Sequence, residues 1–387
     1  MLNRRDFAAA LGAAAVAGAA NAFEISDNGS IRDILRRRVE VEKRSLGMAV
    51  CVVTPHRRHF VAWGRERLGD NRPVSAETVF EIASITKVFT ALLLADMARR
   101  GELGIDDPVA RHLPSDFHVP ELDGRQITLA DLATHTSGLP WWPPFPGEPP
   151  EFNLAFIAAA VPRFGIEEFK AWLADFRLQS QPGAVWAYGN TGYALLSMAL
   201  AHRGGSPYEA LLQTRVIEPL GLEDTTFRPT AAMTSHLAEA HDPTLKPAPP
   251  VDLGIFAAAG GLRSTPRDLS RFATAILPGS GARIAPAADL LLAVRRPAPP
   301  IDAMQGLGWE VRNAPGGAFV SKDGVGWGQA ASMVFDPDRH VAVMAFSNTA
   351  PDLRFARYSG GGVGAADVAQ HLLRPRIPLG GRHEATY

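Results

Sequence analysis

The stretch 81–101, EIASITKVFTALLLADMARRG, sets the hardest constraint on how this chain can fold. From Val88 to Ala95 every residue except Thr90 is apolar, and Gly101 supplies a stop. A helix wetted on almost no side has to lie inside a core, with other elements packed around it. Yet Lys87 stands at the mouth of that run, three residues after Ser84. Residues three apart on a helix share a face, so the ammonium and the hydroxyl can touch.

The bulk of the chain is compatible with such a core. Of 387 residues, 46% are hydrophobic and 20% charged, enough for a large interior in one or two domains. The net charge of −1 implies neither nucleic acid nor an acidic membrane surface as partner. The single cysteine, Cys51, lies in the apolar run GMAVCVV and reads as a packed thiol, since a disulfide needs a second one. The eleven histidines show no H-x-x-x-H or H-E-x-x-H spacing, so neither a metal nor a cofactor is expected.

The N-terminus, MLNRRDFAAALGAAAVAGAANAF, has a charged start, an Ala/Gly run and a small-x-small end at Ala20-Asn21-Ala22. This predicts a signal peptide over 1–22, and Arg4-Arg5 before Asp6-Phe7 resembles a twin-arginine export signal. The alternative is a hydrophobic first helix of the fold. No later segment reaches the roughly 18 apolar residues of a membrane span, so a soluble, periplasmic mature chain is expected.

Beyond the leader, Ile31, Ile34, Leu35 and Val39 recur at helical spacing. MAVCVVTP and HFVAWG then read as strands joined by a turn over Pro55 to Arg58. Strand patterns return only late, in GLGWEV, AFVSK, AASMVFDP and HVAVMAFSN, before a last helix with Val368, Leu372 and Leu373 on one face. Strands at both ends with helical patterns between predict an α/β (α+β) chain. One discontinuous domain, 23–80 with 251–387, would hold an antiparallel sheet, and 81–250 would be an inserted, mostly helical domain. PWWPPFPGEPP (140–150) and HDPTLKPAPPV (241–251) are too rich in proline for helix or central strand. Irregular loops of this kind either line a site or simply connect elements on the surface.

A serine hydroxyl attacks poorly until something accepts its proton. Lys87 can do so if burial lowers its pKa, and Val88, Phe89 and Leu92 supply the apolar setting. At a helix start, the N–H of Ser84 would also be free to hold an oxyanion. The bland alternative is that Ser84 caps a helix and Lys87 reaches solvent. Two further stretches weigh against it. Tyr188-Gly189-Asn190 precedes a second apolar helix: a tyrosine beside a lysine relays protons, and an asparagine binds both a lysine and a substrate amide. Lys322-Asp323-Gly324 ends a strand: the lysine suits an anionic substrate group, and the glycine admits a substrate backbone along the strand edge. Taken singly, Tyr188 reads as a core tyrosine, Asn190 as a cap and Lys322 as a solvated strand end. In the order S-x-x-K, Y-x-N, K-x-G, coincidence is a poor explanation.

That order resembles the class C β-lactamase group and the low-molecular-mass penicillin-binding proteins, which also include some esterases. LADLATHTSGLP (129–140), AAGGLRSTPRDLSRF (258–272) and GLGWEV fit the same pattern, so the likeness runs from about Gly47 to Leu373. Within it, the stretch from GMAVCVV through GDNRPVSAETVFEIASITK resembles periplasmic D-alanyl-D-alanine carboxypeptidase/endopeptidases of the AmpH type. The resemblance implies a β-lactamase/transpeptidase-like fold and assigns roles by position. Ser84 would be the acylated nucleophile, Lys87 would help activate it, and Tyr188 would be the general base or relay. Asn190 would bind the substrate amide, and Lys322 would hold the charge state of Tyr188 and the substrate carboxylate, with Asp323 and Gly324 as the neighbouring substrate-binding positions. The N–H groups of Ser84 and Val325 would form the oxyanion hole.

Two positions depart from the family pattern. Gly189 replaces Ser or Ala, which is mild. Asp323 replaces Thr or Ser, which removes a hydroxyl and adds a negative charge. Strict alternation in a strand would turn Asp323 away from Lys322, whereas the family's threonine at this position lines the site.

The implied function is a serine hydrolase acting on D-Ala-D-Ala peptidoglycan stems or β-lactams. The alternatives are a carboxylesterase on the same fold and, with all the motif residues present, less credibly a non-catalytic peptidoglycan-binding protein. Export gives the first test. Replacing Arg4 and Arg5 together by lysine is expected to hold the full-length precursor in the cytoplasm, as read by fractionation and intact mass. Mature protein in the periplasm would mean another route.

Overall fold

The computed structural model describes residues 28–149, 151, 153–293, 296–314, 317–351, 364–375, 377 and 379. The export signal expected over 1–22 lies outside them. Eight strands form one antiparallel sheet: β1 (Gly47–Val53), β2 (Arg58–Gly64), β3 (Arg296–Ala298), β4 (Ala303–Gln305), β5 (Glu310–Ala314), β6 (Gly317–Val325), β7 (Ala330–Asp336) and β8 (Val341–Ser347). Their order is β2-β1-β8-β7-β6-β5-β4-β3. The N-terminal hairpin thus joins the C-terminal strands through β1 and β8, with Cys51 opposite Met344. The principal helices are α1 (Asn28–Arg36), α2 (Thr86–Arg99), α3 (Thr191–Gly204), α4 (Pro266–Ile276) and α5 (Ala365–Leu373).

The central strands are apolar at nearly every position because both faces of the sheet are covered. Along β1, Ala49, Cys51 and Val53 enter one buried cluster, while Met48, Val50 and Val52 enter another. Along β8, Ala342, Met344 and Phe346 face the first cluster and Val341, Val343 and Ala345 the second. α1 and α5 cover the second face, where α5 packs on β7 and β8 and α1 on β2. α4 packs on β1 from the other side, and the first cluster continues into α2 and α3. The α/β arrangement read from the sequence is the one observed.

α2 is buried all round, as its composition demands: Val88, Phe89, Leu92, Leu93 and Leu94 have no exposure. Each such side chain contributes about 1.5–3 kcal/mol through burial. The helix nevertheless starts later than expected. Ser84 lies in a 3-10 turn, Ala83–Ile85, and the α-helix begins at Thr86. The reason is Ala83, whose φ of +42° lies outside the α-helical region and breaks the helix just before the serine. GLGWEV also differs from expectation. Only Glu310 and Val311 enter β5, because Gly308, with φ +77°, makes a turn before it. β3 and β4, three residues each, were not legible; β3 even contains Pro297.

α5 is held to the N-terminal part by more than Val368, Leu372 and Leu373. Arg38 and Asp367, both buried, form a direct ion pair, and Arg38 also binds Glu42 at 2.8 Å. Removing one partner of a buried pair strands the other charge. Asp367→Ala is therefore expected to lower the unfolding free energy by about 3 kcal/mol. This reads as a lower urea midpoint with unchanged slope. Adding Arg38→Met should recover part of that loss.

Candidate active site

Ser84 is brought to one place with the other two motifs. Tyr188 Oη donates to Ser84 Oγ at 2.8 Å, and Lys87 Nζ donates to the same oxygen at 3.1 Å. Lys87 also donates to Asn190 Oδ1 at 2.8 Å and to the Ala259 carbonyl at 2.7 Å. An ammonium has three donors, and here each has an acceptor from a different stretch of chain. Asn190 is fixed in turn by its own N–H, which donates to the Trp141 carbonyl at 2.8 Å. The loop expected either to line a site or to be mere surface does the former. Trp141 and Trp142 line the cavity over Ser84, as do Pro250 and Val251 from the second proline-rich loop.

Lys322 lies inside β6, with only 1% exposure, and its Nζ is 4.8 Å from the Tyr188 ring centroid. It donates to Glu310 Oε1 at 3.3 Å, and Glu310 accepts from Arg312 Nη2 at 2.6 Å. Beyond Ser321, β6 has no β5 neighbour, which leaves its edge at 322–325 unpaired on that side. Gly324 is what lets this edge meet the serine turn. A Cβ there would fall 2.1 Å from the Ile82 carbonyl oxygen and 3.1 Å from Ser84 N. Val325 ends the strand and lines the cavity.

Asp323 turns toward the second sheet face and accepts a hydrogen bond from Ser332 Oγ at 2.6 Å. Ser332 is its register partner on β7. Alternation is therefore obeyed, yet Asp323 stays partly exposed and lines the cavity, as do Ala365 and Ala366 at the start of α5. The cavity holds about 1330 Å³ and wraps over the edge of β6. Ser84, Tyr188, Asn190, Lys322, Asp323 and Val325 all face it. Lys87 lies buried beneath them.

Sequence reasoning gave no role to three residues found here. Glu310 and Arg312 were missed because nothing local marks a strand end that reaches across to Lys322. His135 sits in the quoted stretch LADLATHTSGLP. Its φ is +59°, its ring lies 4.4 Å from that of Tyr188, and its Nδ1 accepts from the Gly189 N–H at 3.3 Å.

A protein-family model described as Beta-lactamase matches residues 31–364. The chain belongs to the beta-lactamase family. It is 29% identical over 375 residues to the D-alanyl-D-alanine-carboxypeptidase/endopeptidase AmpH of Escherichia coli, covering 92% of this chain and 94% of that one. It is 32% identical over 192 residues to esterase EstB of Burkholderia gladioli, 48% of each chain. The crystal structure of a Yersinia pestis beta-lactamase/D-alanine carboxypeptidase complexed with citrate shares the fold, with TM-score 0.73 and 24% identity over 92% of this chain and 99% of that one. At the family level this makes the chain a hydrolase of the β-lactamase/transpeptidase fold.

The electrostatics of the site separate two lysines that flank one tyrosine. Burial lowers Lys87 to about 8, a negative charge on Tyr188 opposes that fall, and the Lys322 ammonium adds to it. Lys322 is raised: burial acts against it, but Tyr188 and Glu310 outweigh burial. Burial resists ionisation of Tyr188 as well, yet the charges of Lys322 and Lys87 outweigh it and bring the phenol below its ordinary value. His135 is held well below its usual range by burial and then by the same two lysines, so its ring stays neutral. Ser84 Oγ therefore touches two groups that give up their protons more readily than usual.

The deprotonated form of such a pair can accept a proton from Ser84, and protonation at low pH would remove that acceptor. kcat/KM on a substrate without a titrating group should fall on the acid side, with an apparent pKa near or below 8 that belongs to the pair. Tyr188→Phe should lower turnover by about 10²- to 10⁴-fold. It also removes the negative charge that supports the Lys87 ammonium, so the remaining acid limb should move to lower pH. A pH–rate profile of both proteins checks this. Unchanged turnover with reduced thermal stability would mark Tyr188 as a packing residue only.

Proposed function

We propose that this protein is an exported, periplasmic serine hydrolase that works through an acyl-enzyme on Ser84, with D-Ala-D-Ala stems or β-lactams as its substrates. The observation that carries the reading is the shared oxygen: Ser84 Oγ is bonded at once by Tyr188 and Lys87. In the first step Ser84 Oγ bonds to the substrate carbonyl carbon, and its proton passes to the Tyr188–Lys87 pair. The carbonyl oxygen takes the negative charge and is held by the N–H groups of Ser84 and Val325. The carbonyl then re-forms as the bond to the leaving nitrogen or oxygen breaks, and the pair returns the proton to that atom. Water deprotonated by the same pair releases the acyl group and restores Ser84. Asn190 orients the substrate amide and Lys87 together, while Lys322 keeps a positive charge beside Tyr188.

The peptidase and lactamase reading is supported by the 29% identity to AmpH over nearly the whole chain. A second reading, an esterase, is favoured by one observation, the carboxylate of Asp323 in the cavity wall. Both readings share the nucleophile. Incubation with a fluorescent penicillin and with an activated ester, followed by intact mass over time, is expected to show one acyl group per chain, lost at a measurable rate. Ser84→Ala should take no label while keeping its fold by circular dichroism. A labelled, folded Ser84→Ala protein would remove Ser84 from the role.

A further inference from the structure

The charges around the cavity do not balance. Among the described residues, five carboxylates line it, against three cations. Each of those cations already has a carboxylate partner. Arg228 lies 3.5 Å from Glu209, Arg263 lies 3.1 Å from Glu81, and Lys322 lies 3.3 Å from Glu310. Glu310 is in addition tied to Arg312. Asp323 has no ion-pair partner among the described residues; its bond is to a neutral hydroxyl, Ser332.

A substrate group that meets the edge of β6 therefore finds Lys322 already tied to Glu310, which it shares with Arg312, and one residue along a carboxylate that no cation holds. Asp323 is raised to about 6, by burial first and then by Glu310, against Ser332, Arg312 and Lys322. It is anionic at neutral pH. Water is partly excluded there, so the repulsion of a second carboxylate is screened less than on an open surface. We infer that Asp323 makes the leaving-group end of this site select against leaving groups that carry a carboxylate, and favour neutral or cationic ones. The inference rests on the acyl-enzyme reading above and favours its esterase form over D-Ala-D-Ala stems, whose departing D-alanine carries a carboxylate.

The test uses three esters with the same N-acetyl-D-alanyl part and leaving alcohols of different charge: D-lactate, D-lactamide and (2-hydroxypropyl)trimethylammonium. Atoms balance in the same way for each, since the acyl carbon–oxygen bond breaks and the alcohol leaves with the proton taken from Ser84. At pH 7.5, kcat/KM should be lowest for the lactate ester. Asp323→Asn keeps the shape of the side chain and a partner for Ser332 but removes the charge. It should narrow the ratio of lactamide to lactate ester by about tenfold, and Asp323→Thr should narrow it similarly. A merely structural role would change all three rates together and leave the ratio alone. Turnover with ratios that neither variant changes would overturn the inference and leave the serine-hydrolase reading standing. Turnover of none of the three would overturn that reading and the inference with it.

Discussion

The site is organised around an ammonium that has no contact with water. Lys87 is fully buried, and a buried charge without partners costs several kcal/mol. Its three protons go to Ser84 Oγ, Asn190 Oδ1 and the Ala259 carbonyl. These acceptors come from the turn before α2, the start of α3 and the short helix Ala257–Gly260. None of the three is near the others in sequence, so the lysine is satisfied only when the helical body is docked as a whole. Losing any one acceptor would leave an unpaired donor in the core. The contacts that satisfy the buried lysine are thus the same ones that hold the Ser84 hydroxyl beside Tyr188 and Lys87, both of which donate to it.

A second constraint is how closely the backbone must approach at the start of α2. The turn before it is met from the sheet side at Gly324, and the first turn of the helix is met at Gly308. A Cβ on Gly308 would lie 3.1 Å from the Lys87 carbonyl oxygen and 3.2 Å from Val88 Cα. The turn between these contacts contains Ala83 in a left-handed conformation, which few alanines adopt without surrounding support. The position of Ser84 is thus set by backbone contacts on both sides and by a local strain they maintain. A side chain at Gly324 would press on the turn that carries Ser84, and one at Gly308 on the first turns of α2.

Much of this was legible in the chain itself, and the limits were physical. Strands covered on both faces read as continuous apolar runs, so β1, β7 and β8 stood out. A helix buried all round could only be central. The three motifs could be found because each carries a chemical residue beside a strong structural signal. The short strands β3 and β4 could not, since three residues carry no period. The turn at Ala83 was hidden because alanine normally marks helix. Glu310 was hidden because its partner lies twelve residues away, across a ladder whose register no local pattern fixes. Asp323 was the reverse case. Its identity was plain and its direction was open, until pairing with Ser332 showed that alternation holds and that the cavity reaches around the strand to meet it.

Lys87 and Lys322 flank Tyr188 in different surroundings. Both place their Nζ at nearly the same distance from the Tyr188 ring, 4.9 Å for Lys87 and 4.8 Å for Lys322, and both are buried. Distance and burial alone would make them equivalent. What separates them is Glu310. Lys322 has a carboxylate at 3.3 Å, while the three acceptors of Lys87 are all neutral. One environment therefore raises an ammonium and the other lowers it, and groups pushed apart in this way are suited to opposite parts in proton transfer. Lys322 stays charged and holds the phenol of Tyr188 below its ordinary value, while Lys87 is the one near its own titration point. Glu310 never touches Ser84 in this arrangement. It nonetheless adds to the charge of Tyr188 in raising Lys322, whereas Lys87 has no carboxylate to offset its burial.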